Sequence, residues 1–384
     1  WGTCRFLPPN KNIDSCHVFR LDGDKPREQD SNQGSGGSSS IPTLIPLVES
    51  QSSDGGSSLY DSDTTTYLPV VENITPRGSS SSDVLVPPTV EKVHLKHIES
   101  MPKLVVYFDL ETTGLEADCD IVQLSSVVGQ QYFNQYILPS KKVSWRASEI
   151  TGLTFDSGSL HLRGKMVEAL EPREALQKWL HWIRPIAPVV LVAHNCYNFD
   201  ARRLVNNYKK YGLLEELGQL VAGFIDTLPM FKELYPKMSS YRQEELVTKV
   251  LKESYEAHDS LADVQSLQKL VMKHNLSDKK LLKFSFTYQS LLDYIEYSKK
   301  GKENAESLQS LVDSKHLSSG MAETVGKSGL TLDNLRHAFV DGGKELLEKV
   351  LSEPTSSGQP RVTRNRSVLN KLHEFFSNEN AEPK

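Results

Sequence analysis

The sequence predicts an α/β domain built on a mixed sheet, preceded by a leader unable to fold by itself and followed by a small helical appendage. Three observations carry this expectation. From Leu104 onward, short apolar runs alternate with amphipathic stretches, the pattern of mixed α/β domains. Within that region "VVLVAHN" at 189–195 supplies a continuous β-branched run, the mark of a strand covered on both faces. Ahead of it, residues 27–66 are rich in Ser, Gly and Asp and hold too few large apolar side chains to offset the entropy of ordering.

Residues 1–98 are therefore expected to form a disordered leader, 99–276 the α/β domain and 277–384 a helical extension. The chain starts at Trp1 rather than Met, which leads us to expect a piece of a longer product. The first strand is 104–109; 121–129 and 131–138 follow as strands, joined closely enough to be antiparallel neighbours. Ala175, Leu176, Trp179, Leu180 and Ile183 have helical spacing, so 173–183 reads as a helix, stopped by Pro185 and Pro188. After the central strand come a helix over 199–211 with Gly212 as its C-cap, a strand over 220–225, and a short helix opened by Asp226. Helices over 244–251 and 259–272 complete a unit of common single-domain size. Beyond it Leu332, Leu335 and Phe339, then Leu346, Leu347 and Val350, then Val368, Leu369, Leu372 and Phe375 follow helical periods. Thr331 suits an N-cap and Gly342-Gly343 separates two of these helices. The connections at 300–325 and 352–360 are expected to be partly disordered.

Composition narrows the function classes. Cys4, Cys16, Cys119 and Cys196 lack metal-ligand or disulfide-framework spacing, which favours a reducing intracellular compartment, nuclear or cytoplasmic. No apolar stretch has membrane length, so no membrane partner is expected. A formal net charge of -5 argues against a nucleic-acid coat held by bulk positive charge, though not against an enzyme that grips phosphates through metal ions. The basic runs Arg202-Arg203, Lys209-Lys210, Lys279-Lys280 and 361–366 each read as a solvated helix face or tail.

Three clusters of carboxylates remain. In "YFDLETTGL" at 107–115, Asp109 and Glu111 stand two apart on a strand and so project to one side. There they repel unless something positive sits between them. Taken alone, a strand end entering a solvated turn and a metal site explain this stretch equally well. "AHNCYNFD" at 193–200 puts Asp200 just after the central strand, where α/β sheets offer a ligand crevice. In "AHDSLADVQSL" at 257–267, His258 precedes Asp263 by five residues, well over one helical turn. Asp259 or Ser260 is expected to cap the helix, with Asp263 in its first turns and His258 on the preceding loop. Asp200 also reads as an acid at a helix N-terminus, Ser260 with Asp263 as a capping pair, and His194 as a satisfied core histidine. Four acids and a histidine at strand and helix ends of one domain are more than caps require.

Asp109-Leu110-Glu111-Thr112-Thr113-Gly114, then His194-Asn195 to Phe199-Asp200, then His258-Asp259 to Asp263 resemble, in order and spacing, the three motifs of the DEDDh (DnaQ-like) 3'→5' exonucleases. That family includes the three-prime repair exonucleases. The resemblance spans about 100–275 and implies an RNase H-like fold, a mixed five-stranded sheet with flanking helices. In the tail, "SGLTLDNLRHAF", "ELLEKVL" and "GQPRVTRNRSVLNKLHEFF" look like the end of the exonuclease-like C-terminal domain of the promyelocytic leukaemia (PML) protein and its relatives.

Phosphodiester hydrolysis at neutral pH needs charge neutralisation and an activated water. Two Mg²⁺ (or Mn²⁺) ions about 3.5 to 4 Å apart supply both. Such hard cations want carboxylate oxygens, which makes Asp109, Glu111, Asp200 and Asp263 the candidate metal ligands. His258 suits the general base, since the unperturbed imidazole titrates close to working pH. By resemblance, backbone N–H groups at Thr112, Thr113 and Gly114 hold the terminal 3'-hydroxyl, Leu115 wedges against the last base, and Asn195 contacts the sugar or orients its turn. The expected activity is metal-dependent 3'→5' hydrolysis of nucleic-acid 3' ends to 5'-mononucleotides, single-stranded DNA favoured over RNA. Its rivals are a catalytically silent module binding nucleic acid or protein, and an exoribonuclease of the same chemistry.

Overall fold

Alternation along the first strand sorts its side chains onto two faces, and that sorting organises the molecule. A computed structural model describes residues 86–381; most of the expected leader, residues 1–85, lies outside the described residues. In β1 (Leu104–Thr112), Val106, Phe108 and Leu110 enter one core, whereas Val105 and Tyr107 enter a second across the sheet. Asp109 and Glu111 continue the second series, so the polar end of the strand opens on that face.

β1 pairs antiparallel with β2 (Ile121–Val128), which pairs antiparallel with β3 (Gln131–Ile137). Residues 140–144 lead to a short helix, α1 (Trp145–Thr151), and a hairpin of β4 (Leu153–Asp156), β5 (Ser159–Leu162) and β6 (Lys165–Met166) that forms a small sheet of its own. After β7 (Ala169–Leu170), α2 (Pro172–Ile183) crosses to β8 (Val189–Ala193), which lies parallel to β1. Then follow α3 (Asp200–Lys210), α4 (Leu214–Leu220), β9 (Val221–Asp226) parallel to β8, and α5 (Thr227–Leu234). α6 (Gln243–Leu246) runs into a π turn at Val247–Leu251, and α7 (Ser260–Lys273) closes the unit.

The main sheet has seven strands in the order β10-β9-β8-β1-β2-β3-β7, where β10 is Ser285–Thr287. The five expected strands form its middle. The two-residue β7 and three-residue β10 extend its edges and are too short to leave a periodic signal in the sequence. Helices α2, α3 and α4 cover one face and α5, α6 and α7 the other. On the first face Trp179 is fully buried and donates its indole N–H to Ser126 Oγ at 2.8 Å, which satisfies the one polar group of that ring.

The tail is helical and shares one compact unit with the sheet domain. After α8 (Asp278–Leu282), α9 (Tyr288–Glu306) packs by Leu291 into the first core, and α10 (Gln309–Asp313), α11 (Ser319–Lys327), α12 (Leu332–Ser352) and α13 (Arg366–Ala381) enclose a third. The expectation of partial disorder over 300–325 is corrected here: α9, α10 and α11 occupy it. Gly301 and Gly326 allow the close crossing of α9 and α11, since a Cβ on Gly326 would lie 2.2 Å from Gly301 O. Thr331 caps α12 in a reciprocal box with Asn334, and Gly342 and Gly343 break that helix.

Two basic runs also need correction. Arg203 is 8% exposed, and its guanidinium donates to Asn198 O at 2.8 Å and to Leu115 O. Arg361 is 6% exposed and donates to Ser328 O, Pro87 O and Pro88 O. Neither lies on a solvated face. The Arg361 contacts hold residues 86–91 against the helical tail, where Ser356 N–H donates to Glu91 and Thr89 to Glu353. Further along, Thr287 N–H donates to Lys96 O, and Ile98 is buried in the second core. No helix among the described residues is long and apolar enough to cross a membrane.

Candidate active site

Three elements converge on the open end of the second face. β1 brings Asp109 and Glu111, and α7 packs across β1 and β2 with Asp263 in its first turn. One carboxylate oxygen from each of Asp109, Glu111 and Asp263 lies within 4.8 Å of the others. Asp259 caps α7 by accepting from Ala262 N–H, and Gln123 on β2 donates to it at 2.9 Å. Ser260 Oγ donates to Asp109 O at 2.8 Å, which fixes the helix start against the strand. Asp200 is the first residue of α3 and 5% exposed; it stands outside the tight triad, but its charge acts on Asp109 and Glu111 and it is itself raised by Asp263.

The electrostatics of this group are those of acids crowded away from water. Burial first, then the charges of Asp263, Asp200 and Glu111, hold the Asp109 carboxyl well above the usual carboxylate range. Burial followed by Asp263, Asp200 and Asp259 pushes Glu111 up to about 9. Asp200 is raised to about 7, again chiefly by burial. Asp263 is raised by burial, against the opposing pull of hydrogen bonds from Tyr255 and from the His258 backbone.

These carboxylates fit a divalent cation. They are hard oxygen donors, one oxygen from each of Asp109, Glu111 and Asp263 sits within reach of a common centre, and burial with mutual repulsion raises their proton affinity.

His258 sits on the exposed loop before α7 with φ +65°, and its backbone N–H donates to Asp263 Oδ2 at 2.8 Å. The other oxygen of Asp263 accepts from Tyr255 Oη at 2.6 Å and from Gln243 Nε2 at 3.1 Å. Sequence reasoning missed Tyr255 and Gln243; a lone tyrosine in the polar run "ESYEAHD" was the one available signal. Burial and the adjacent Asp263 push the Tyr255 phenol above its usual range, so it stays a donor.

The candidate substrate residues follow Glu111 along the chain or precede Asp200. Thr112 Oγ donates to Gly114 O at 2.7 Å, shaping the turn, and Gly114 is buried while Leu115 is 72% exposed. Thr113 N–H is committed to Asp120 O at 2.9 Å, so Thr113 contributes shape rather than a free donor. Asn195 has φ +58°, and its carbonyl accepts from Asn198 and Phe199 N–H, which builds the turn leading to Asp200. His194 is satisfied on both ring nitrogens, by Thr227 Oγ at 3.0 Å and Tyr241 O at 2.7 Å, and has no part in the opening.

Residues 106–271 match the family model described as Exonuclease, and residues 304–379 match that of the PML C-terminal domain. The chain is 30% identical over 174 residues to the PolC-type DNA polymerase III of Bacillus cereus, covering 44% of this chain and 11% of that one. It is 32% identical over 203 residues to the PolC-type DNA polymerase III of Thermotoga petrophila, covering 50% and 13%. The chain thus spans about an eighth of the length of these relatives. Among solved structures it is similar to E. coli exonuclease I in complex with a dA16 oligonucleotide (TM-score 0.37, 18% identity, 58% of this chain and 50% of that one). It is also similar to exonuclease X in complex with 5' overhanging duplex DNA (TM-score 0.33, 15% identity, 47% and 98%). The chain is thus similar to the exonuclease family over residues 106–271 and to the PML C-terminal domain over residues 304–379.

Proposed function

We propose that this protein is a metal-dependent 3'→5' exonuclease that releases 5'-mononucleotides, with single-stranded DNA as its preferred substrate. The observation that carries the reading is the convergence of Asp109, Glu111 and Asp263 within 4.8 Å, beside buried Asp200 and next to a loop histidine. Asp109, Glu111, Asp200 and Asp263 are the residues that would hold Mg²⁺ or Mn²⁺. When bound, such ions supply charge neutralisation at the phosphodiester and a more acidic water.

The chain supplies the rest. His258 accepts the proton of the attacking water; its backbone bond to Asp263 keeps the imidazole at the rim of the acid cluster. Tyr255 and Gln243 hold one oxygen of Asp263, and thereby set which way that carboxylate faces. Leu115, exposed on a loop that Arg203 ties down, offers an apolar edge to the terminal base. Contacts of this kind touch base faces and backbone rather than base edges, so weak sequence preference follows. The preference for DNA is supported by the similarity to PolC-type DNA polymerases.

The test is a time course on 5'-labelled single- and double-stranded DNA and RNA, with Mg²⁺, with EDTA, and with Asp109→Ala. Progressive shortening from the 3' end that requires metal and Asp109 is expected. A purified chain that binds the oligonucleotides yet never shortens them in Mg²⁺ or Mn²⁺ would replace this reading with that of a silent binding module.

A further inference from the structure

The acid cluster can accommodate a chain end, but a single strand extends beyond its last nucleotide. The rim that leads away from the cluster is built from residues 140–146. Ser140 donates to the buried carboxylate of Asp120 through both its N–H and its Oγ, each at 2.8 Å, and Ser144 N–H donates to Thr113 O at 2.8 Å. These bonds pin the segment to the turn that follows Glu111, so the next residue, Trp145, stands beside the loop that carries Leu115. Trp145 is 71% exposed and Leu115 is 72% exposed. A large aromatic left in water at that level forfeits most of the apolar burial it could have contributed to the fold.

Positive charge lies beside the ring. The Arg146 guanidinium lies 6.0 Å from the Trp145 ring centroid. Lys141 is paired with Asp118, whereas Lys142 and Arg146 are exposed and have no acidic partner among the described residues. The contrast with the acid cluster is sharp: the rim presents an exposed indole with the Arg146 guanidinium beside it and Lys142 three residues earlier on the same segment. An indole flanked by cations is the chemistry that recognises a nucleobase with its flanking phosphates.

We infer that Lys142, Trp145 and Arg146 form a binding subsite for single-stranded nucleic acid, in which Trp145 stacks on a base upstream of the scissile end while Lys142 and Arg146 meet the neighbouring phosphates. The inference rests on the exonuclease reading for where the strand enters, and it adds the path by which the strand leaves. The backbone of the subsite is held in place by its hydrogen bonds to Thr113 and Asp120.

Fluorescence anisotropy of a 5'-labelled single-stranded oligothymidylate, titrated with the full chain in Ca²⁺, tests it. Trp145→Ala is expected to weaken binding roughly 30-fold, the mid-range effect of losing one base–aromatic stack, with Trp145→Phe retaining most of the affinity. Lys142→Ala with Arg146→Ala is expected to flatten the dependence of log Kd on log salt by about 1.4, for two phosphate contacts on a single strand. Trp145→Ala binding as tightly as the wild type, or a wild-type chain that binds no oligonucleotide, overturns the subsite. Mg²⁺-dependent shortening, measured in parallel, separates the two ideas. Shortening with unchanged Trp145→Ala binding defeats the subsite alone. Weakened Trp145→Ala binding without shortening defeats the exonuclease reading and leaves the patch as a nucleic-acid surface.

Discussion

Replacing Glu111 with glutamine is expected to make the metal-free protein more stable. The Glu111 carboxyl is pushed up to about 9 by burial, then by Asp263, Asp200 and Asp259. In the unfolded chain a glutamate titrates near 4.3. Between those values the native state holds a proton that the unfolded chain has lost, so native stability falls as pH rises through the window and levels off above it. The slope is about 1.4 kcal/mol per pH unit, which amounts to roughly 4 kcal/mol by pH 7, shared with the coupled carboxyls. Glutamine is the neutral isostere of the protonated acid, so Glu111→Gln removes this penalty and keeps the shape. Urea unfolding followed by circular dichroism in EDTA at pH 6, 7 and 8 measures it. The wild type should lose stability with pH more steeply than the variant, and the variant should be the more stable by a few kcal/mol at pH 8. Saturating Mg²⁺ should reverse that ranking, because the wild type gains a bound ion that the variant holds less well. Parallel pH curves, or a variant less stable than the wild type in EDTA, would refute the claim that uncompensated negative charge is stored in this cluster.

His258→Ala should retain the backbone bond to Asp263 and metal binding while turnover falls at least about 100-fold, the usual contribution of a general base; full activity at saturating Mg²⁺ would remove His258 from that role. Tyr255→Phe deletes the 2.6 Å bond to Asp263, so the Mg²⁺ concentration for half-maximal activity should rise roughly 10-fold with little loss of maximal rate, as metal titration of the rate would reveal. Arg361→Ala removes the guanidinium donors to the carbonyls of Ser328 and Pro87, and should cost roughly 2 kcal/mol in urea unfolding. A chain shortened to start at residue 99 should show a loss of the same sign, since it removes the segment that Arg361 grips.

How much of this could be read from the sequence depended on whether the signal was local. The period of two in β1 placed Asp109 and Glu111 on one side without any knowledge of what they faced. The five-residue separation of His258 from Asp263 required a loop followed by a helix start, and α7 begins at Ser260 with Asp259 as its cap. Fully buried strands such as β8 announce themselves by unbroken apolar runs. The grip of Tyr255 and Gln243 on Asp263 was hidden, because it depends on a π turn and a loop that bring residues 8 and 20 positions away onto one carboxylate. The hairpin of β4, β5 and β6 was hidden for another reason: its strands have two to four residues, and its turns are set by Gly158 and Gly164 at positive φ. Arg203 and Arg361 misled because clustered basic residues in sequence read as surface, whereas here backbone carbonyl groups take the donors.

The central claim is that side chains from β1, α3 and α7 combine to trap divalent ions. Calorimetric titration of Mn²⁺ into the full chain, beside Asp109→Ala, addresses it most directly. The account predicts saturable binding to the wild type that disappears in the variant. Equal binding by the two proteins, or none by the wild type, would contradict it.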